Sequence, residues 1–268
     1  MSFFKDKVVV VTGGTEGIGK AIIEMLIPLG ARIATCGRHH DKLYELQMRH
    51  AATLFHAVAC DVSKEQDCKR FIESTIKVFG GIDILINNAG ISMRALVKDV
   101  DIEVMRKVMD VNFYGAVYCS MFALPFITES KGTIVGISSI AGYRGLPGRS
   151  AYSASKFALQ GWLEALRIEM MDDEVNVMWV CPNFVSSNIR FAALDQDGNP
   201  QNESPMDESK MMTAEECAHY ILEAIEKRKR SLILTFTGKR TVLMNKLFPS
   251  LTDKMVHKFY FNKGKLVK

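Results

Sequence analysis

Short runs of β-branched and other apolar residues recur along this chain at 7–11, 31–36, 52–58, 82–86, 133–137, 175–180 and 231–235, and amphipathic stretches separate them at about 17–29, 40–50, 63–79, 101–128, 151–171 and 213–229. That alternation constrains the fold more than any other feature. A strand that is apolar at successive positions is buried on both faces, and parallel strands need a crossover of a dozen or more residues, which a helix supplies. The pattern predicts an α/β fold, a doubly wound parallel sheet of about seven strands with helices on both faces. At 268 residues, 48% of them hydrophobic, one core suffices, so the chain reads as a single domain over 1–268 with its core at about 6–235. The segment 186–212, rich in Asp, Asn, Gly, Pro and Ser, is expected to be an irregular substrate lid. Thr213 to Glu216 has capping-box spacing and should start the next helix.

Several function classes are disfavoured at this stage. Residues 1–7 hold no apolar core of a signal peptide, and no uninterrupted apolar run approaches spanning length, so a soluble, cytoplasmic protein is expected. The six cysteines (36, 60, 68, 119, 181 and 217) are scattered without a C-x-x-C pair, and the histidines form no H-E-x-x-H. Buried reduced thiols and no metal follow. Net charge is +4, but from 227 to 268 twelve Lys and Arg face one Asp, leaving −7 for residues 1–226. A basic tail suits an anionic partner or simply a solvated face. Without an OB- or RRM-like set of base-stacking aromatics, nucleic acid is not expected as the partner.

Directly after the first strand comes Thr12-Gly-Gly-Thr-Glu-Gly-Ile-Gly19, then a helical stretch. Gly13, Gly17 and Gly19 let the backbone turn tightly and approach a pyrophosphate that the helix-start amides can hold. Asp61 ends the third strand, where a carboxylate can accept from an adenine amino group. Asn87-Asn-Ala-Gly90 ends the fourth, and its amides can tie strands together or touch a flat ligand. Tyr152 and Lys156 lie one helical turn apart on one face, with Ser139 thirteen residues upstream at a strand end. A lysine charge about 5 Å from a phenol favours the phenolate by roughly 3 kcal/mol at a dielectric near 20, about two pKa units. The tyrosine becomes a usable proton donor near neutrality.

Thr12-Gly13-x-x-x-Gly17-x-Gly19, Asp61-Val62, Asn87 to Gly90, Asn112, Ser139 and Tyr152-x-x-x-Lys156 resemble, in order and spacing, the motifs of the short-chain dehydrogenase/reductase family. The resemblance covers about residues 6–235. It implies a Rossmann-type domain that binds a nicotinamide dinucleotide through Gly13, Thr15, Gly17, Ile18, Gly19, Arg38, Asp61, Val62, Asn88, Ala89, Gly90, Tyr152, Lys156, Pro182, Val185 and Ser187. The catalytic set it implies is Ser139, Tyr152, Lys156 and Asn112. Tyr152 exchanges the proton, Ser139 steadies the developing oxyanion, Lys156 also holds the nicotinamide ribose, and Asn112 orders a relay water. Spacing in the family selects Ser139 over Ser138. Gly37 stands where NAD-using members tend to carry Asp, and Arg38 offers a fork for a 2′-phosphate, so NADP is expected, with NAD as the alternative. Glu16, in the glycine loop, would repel that phosphate unless it turns to solvent or pairs with Arg38.

One departure is that Cys181-Pro182-Asn183 replaces the family's usual Pro-Gly; asparagine tolerates positive φ, so the turn can survive. The stretch 236–268 is an extension, basic and apolar, that can cap the substrate pocket, bury a subunit interface or contact a membrane peripherally. The reaction expected is interconversion of a carbonyl and a secondary alcohol, on a hydrophobic small molecule, by a homodimer or homotetramer. A 3-oxoacyl-thioester reductase is the main rival, and a non-catalytic dinucleotide sensor the other.

Overall fold

The computed structural model describes residues 2–51 and 53–267. Seven strands form one parallel sheet: β1 (Val8–Thr12), β2 (Arg32–Gly37), β3 (Phe55–Ala59), β4 (Ile84–Asn87), β5 (Thr133–Ile137), β6 (Asn176–Cys181) and β7 (Ser231–Ile233). Their order is β3-β2-β1-β4-β5-β6-β7, so the winding reverses between β1 and β4 and opens a crevice at the carboxyl ends of those strands. Residue 52, where the third strand was expected to begin, lies outside the described residues. The helices are α1 (Gly17–Leu26), α2 (His40–Arg49), α3 (Glu65–Phe79), α4 (Ile102–Met109), α5 (Gly115–Glu129), α6 (Ser150–Glu169) and α7 (Ala214–Glu226).

The two-sided burial argued from composition is visible residue by residue. Val9 and Val11 of β1 pack with Ile22, Ile23 and Leu26 of α1 and Ile221 and Ile225 of α7 on one face. Val10 points the other way, into a core with Phe71 of α3, Ala123 of α5 and Leu163 of α6. Thr213 caps α7 with the expected reciprocal bonds to Glu216, 3.0 and 2.9 Å. All six cysteines are free and buried.

The single helix expected at 101–128 is interrupted: Asp110–Tyr114 forms a π turn between α4 and α5. The run Ile102–Glu129 contains an apolar window of mean hydropathy 1.3, by length and composition enough to cross a membrane, where the sequence suggested no such run. Here its inner face is core: Val104, Val108, Asn112, Cys119, Ala123 and Ile127 are buried.

Residues 236–267 form α8 (Phe236–Leu247), α9 (Pro249–Tyr260) and a hairpin of β8 (Phe261–Asn262) and β9 (Lys265–Leu266). They are fastened to the loop between β5 and α6. Asn245 of α8 donates to Tyr143 O (2.9 Å) and accepts from Arg144 (2.8 Å), while Arg144 also pairs with Asp253 of α9. A Cβ at Gly148, whose φ is +72°, would lie 2.6 Å from Leu266 of β9. That approach requires glycine.

Candidate active site

The glycine loop closes against the end of β4. Thr12 is buried, and its Oγ1 accepts from the amides of Asn88 and Ala89, both at 3.0 Å. Asn88 spends its own side-chain amide on Thr12 O and Gly13 O, each 3.0 Å away. It therefore locks the loop to β4 as well as facing the crevice. A Cβ at Gly19 would meet Asn88 Nδ2 and Gly13 O at 2.4 Å, which only glycine avoids. At the start of α1 the residue before Gly17 offers no side-chain cap, so the first-turn amides remain for an anion.

A cleft of about 360 Å³ runs from this loop along the sheet edge. Gly13, Thr15, Gly17, Ile18, Arg38, Asp61, Val62, Asn88, Ala89, Gly90, Ser139, Tyr152, Lys156, Pro182, Val185 and Ser187 all line it. Gly19 and Asn112, the other two expected contributors, sit behind its wall. The wall beside Tyr152 includes Ser92, and Ile189, Arg190 and Ala192 of the 186–212 segment. That segment is tied down: Leu194 N donates to Ser92 O (2.9 Å), Ser186 N to Met212 O (2.9 Å), and Arg190 pairs with Glu208. The Arg190 guanidinium holds the Glu208 carboxyl down at about 2.

At the adenosine end, Glu16 neither turns free nor meets Arg38. It pairs with Lys42 of α2 and accepts from Asn188 at 3.4 Å, and the Lys42 bond lowers its pKa. Arg38 stays exposed on the cleft rim. The repulsion anticipated for a 2′-phosphate is thus offset by a lysine one helical turn into α2. No carboxylate stands at Gly37, where a Cβ would meet Thr15 Cγ2 at 3.2 Å.

At the other end Ser139 stands beside Tyr152, where its hydroxyl acts to lower the pKa of the phenol. Ser139 also accepts from Ala141 N at 3.1 Å, whereas Ser138 is turned inward, accepting from Gln160 at 2.7 Å. The spacing selected the hydroxyl that faces the cleft. Lys156 Nζ stands 5.6 Å from the Tyr152 ring centre and donates to Ile137 O at 2.8 Å. Burial pushes Lys156 down to about 8 and pushes Tyr152 up, against which act first the Ser139 hydroxyl and then the charge of Arg149. This corrects the expectation that Lys156 dominates the acidity of Tyr152.

Asn112 explains the π turn. Its Oδ1 accepts from Ile91 N (2.8 Å), and its Nδ2 donates to Ile91 O (2.9 Å) and to Ser155 Oγ (3.0 Å). A carboxamide held by strand-end backbone on one side and α6 on the other needs the wider turn, and such bulges often occur at functional sites. Asn183 keeps φ negative, contrary to the tolerance invoked for it. Its Nδ2 instead donates to Thr235 Oγ1 (3.2 Å), and it is Thr235, at φ +64°, that turns the chain into α8.

Residues that motif spacing did not reveal complete the site. Arg149 precedes Tyr152 by three, donates to Ser92 Oγ at 2.8 Å and lies close enough to Tyr260, which α9 brings in, for its charge to act on that phenol. Arg94 and Arg190 lie near it but are paired with Glu203 and Glu208. Arg149 has only hydroxyls, and burial lowers its pKa. The i−3 position before Tyr152 was the one signal available for it. Its partners, 57 residues upstream and more than 100 downstream, gave none.

A family model described as short chain dehydrogenase matches residues 7–197. The chain is 34% identical over 258 residues to the Dehydrogenase/reductase SDR family member 7B of Mus musculus, covering 93% of this chain and 80% of that one. Its fold is similar to that of a short chain dehydrogenase/reductase from Burkholderia phymatum in complex with NAD, at a TM-score of 0.83 and 23% identity, over 94% of this chain and 96% of that one. It is also similar to an alcohol dehydrogenase from Thermococcus sibiricus complexed with 5-hydroxy-NADP, at a TM-score of 0.75 and 22% identity, over 86% and 96% of the two chains.

Proposed function

The chain belongs to the short-chain dehydrogenase/reductase family and is an oxidoreductase acting on CH–OH or carbonyl groups, and from that premise we propose that it uses NADP(H), with Tyr152 as general acid/base, on a hydrophobic carbonyl or secondary alcohol. The observation that carries the reading is the continuity of one cleft from the glycine loop to Ser139, Tyr152 and Lys156. The residues fit a dinucleotide: capless amides at α1 for the pyrophosphate, Asp61 near the adenine end, and an open rim with Arg38 and no acid at Gly37 for a 2′-phosphate. When bound, the reduced nicotinamide supplies the hydride.

In the reducing direction Tyr152 donates its phenolic proton to the carbonyl oxygen, and Ser139 hydrogen-bonds the oxygen as charge develops there. Lys156, protonated at pH 7 with its pKa at about 8, would hold the ribose of a bound dinucleotide and return a proton toward Tyr152. Asn112 fixes Ile91 and Ser155 beside the path. In the oxidising direction the same groups run backwards, with Tyr152 as base. The apolar wall of Ile91, Ile189 and Ala192 favours a hydrophobic substrate. Met121 of α5 and Phe157 and Ile168 of α6 are large and exposed, which supports a homodimer or homotetramer through those helices. Six buried free thiols fit a reducing, cytoplasmic setting.

The test is NADPH and NADH consumption over ketosteroids, acetoacetyl thioesters and long-chain ketones, beside Tyr152→Phe. Turnover that Tyr152→Phe abolishes is expected. No turnover of any carbonyl, together with intact dinucleotide binding, would leave the sensor reading in its place; preference for the thioesters would establish the rival reductase.

A further inference from the structure

Among the described residues, twenty-two large apolar side chains are exposed, and a disproportionate share of them sits on α8, α9 and the short connection between them. Their spacing is regular. Phe236, Leu243 and Leu247 are all more than half exposed and, being seven and four residues apart, fall on one stripe of α8. Leu251 and Met255, four apart, make a second stripe on α9, and Phe248 stands 58% exposed at the junction. The two helices pack on each other, and the exposed Phe248 stands where the two stripes meet along the chain. An apolar surface of this kind on a soluble protein marks an interaction site.

Its rim names the partner. Lys239, Arg240, Lys246, Lys254, Lys258, Lys263 and Lys265 are all exposed, and the one carboxylate of the extension, Asp253, is already taken by Arg144. The cations therefore have no acidic partner within the segment. Helices with apolar stripes edged by lysine and arginine lie in the plane of a bilayer, apolar face inward, and gain further from anionic headgroups. A second copy fits less well, because a two-fold contact would bring two such uncompensated basic rims together.

We propose that α8 and α9 dock this enzyme on a bilayer that carries anionic lipid. The docking face is not remote from the chemistry. Asn245 and Asp253 bolt it to the loop that precedes Tyr152, and Tyr260 at the end of α9 meets Arg149 beside the cleft. The docking face is thus tied to the loop that leads to the proposed proton donor, a link that rests on the oxidoreductase reading; the docking itself does not.

Sedimentation of the full-length protein with vesicles of phosphatidylcholine alone, and with 30 mol% phosphatidylserine, tests it. Partitioning at least about tenfold stronger on the anionic vesicles is expected, falling about tenfold when 0.5 M NaCl is added. Leu247→Glu/Met255→Glu should lose about tenfold while keeping the melting temperature, and Met121→Glu on α5 should bind as the parent does. Equal binding to both vesicle types, or binding that Leu247→Glu/Met255→Glu leaves intact, overturns the proposal. Absence of binding with a dimer that dissociates in Leu247→Glu/Met255→Glu overturns it in favour of a subunit interface. NADPH turnover on a water-soluble ketone, read in parallel without vesicles, fails only if the catalytic reading fails.

Discussion

Lys156 offers a measurement of how much the site costs the fold. It is 4% exposed, its ammonium has one backbone acceptor at 2.8 Å, and no carboxylate stands beside it. Its ionisable neighbours do not help: burial raises Tyr152 and pushes Cys181 up to about 12, so both are neutral across the range that matters. Desolvation therefore drops Lys156 from 10.5 to about 8. At about 1.4 kcal/mol per pKa unit, holding the charged form inside the protein costs roughly 3 kcal/mol. The sign follows from which state holds the proton. Below pH 8 both folded and unfolded chains are protonated and the whole cost is present. Between pH 8 and 10.5 the unfolded chain keeps the proton and the folded one has released it, so stability rises with pH and the cost is gone above 10.5. Lys156→Met removes the titration while nearly keeping the volume. Denaturant unfolding of both proteins, without dinucleotide, is expected to show the parent gaining about 3 kcal/mol relative to Lys156→Met between pH 7.5 and 10.5. Parallel stability curves would refute the reasoning, since every other titrating group is common to both proteins.

Three further outcomes follow from other parts of the site. Asn112→Leu strands Ile91 N–H and C=O and the Ser155 hydroxyl; a loss of about 2–4 kcal/mol in denaturant unfolding is expected, along with reduced kcat. Gly37→Asp needs Thr15 to give by a few tenths of an ångström and places a carboxylate at the ribose. Fluorescence titration should then show the proposed NADPH-over-NADH preference fall by at least about tenfold, or roughly 1.4 kcal/mol. Arg149→Met removes the positive charge that lowers the Tyr152 pKa. In the oxidising direction, where Tyr152 acts as base, the rise of kcat/KM with pH should move to higher pH, and an unmoved profile would remove Arg149 from the control of Tyr152.

The sheet was legible because burial on both faces leaves an unmistakable composition, and Val8 to Val11 can be little else than a central strand. That Ser139, Tyr152 and Lys156 would share one cleft was legible for a similar reason: a strand-end serine and one helical turn are local arrangements, and local spacing survives into three dimensions. What did not show in the sequence depends on residues distant along the chain. The π turn at Asp110–Tyr114 exists because Asn112 is held by Ile91, 21 residues away, and by Ser155, 43 away; helix propensity alone would have run straight through. Glu16 is neutralised from Lys42, 26 residues on, a pairing set by where α2 begins.

The two halves of the site differ in kind for this reason. The groups proposed for proton transfer sit at the end of β5 and on α6, two neighbouring elements, and need only those elements to be in register. Around them stand residues from four separate stretches: Ser92 after β4 and Ile189 to Ala192 in the long connection line the cleft, while Arg149 before α6 and Tyr260 on α9 lie close enough to Tyr152 to act on it through their charge and dipole. Each can vary without disturbing the sheet, since their mutual contacts lie outside it. On the proposed function, reaction type therefore rests on short spacings, and substrate choice on what the long connection and the loops around Tyr152 place beside the cleft. That division makes Arg149 and Tyr260 the informative pair: exchanging them should alter which carbonyl is accepted while leaving Tyr152, Ser139 and Lys156 in place.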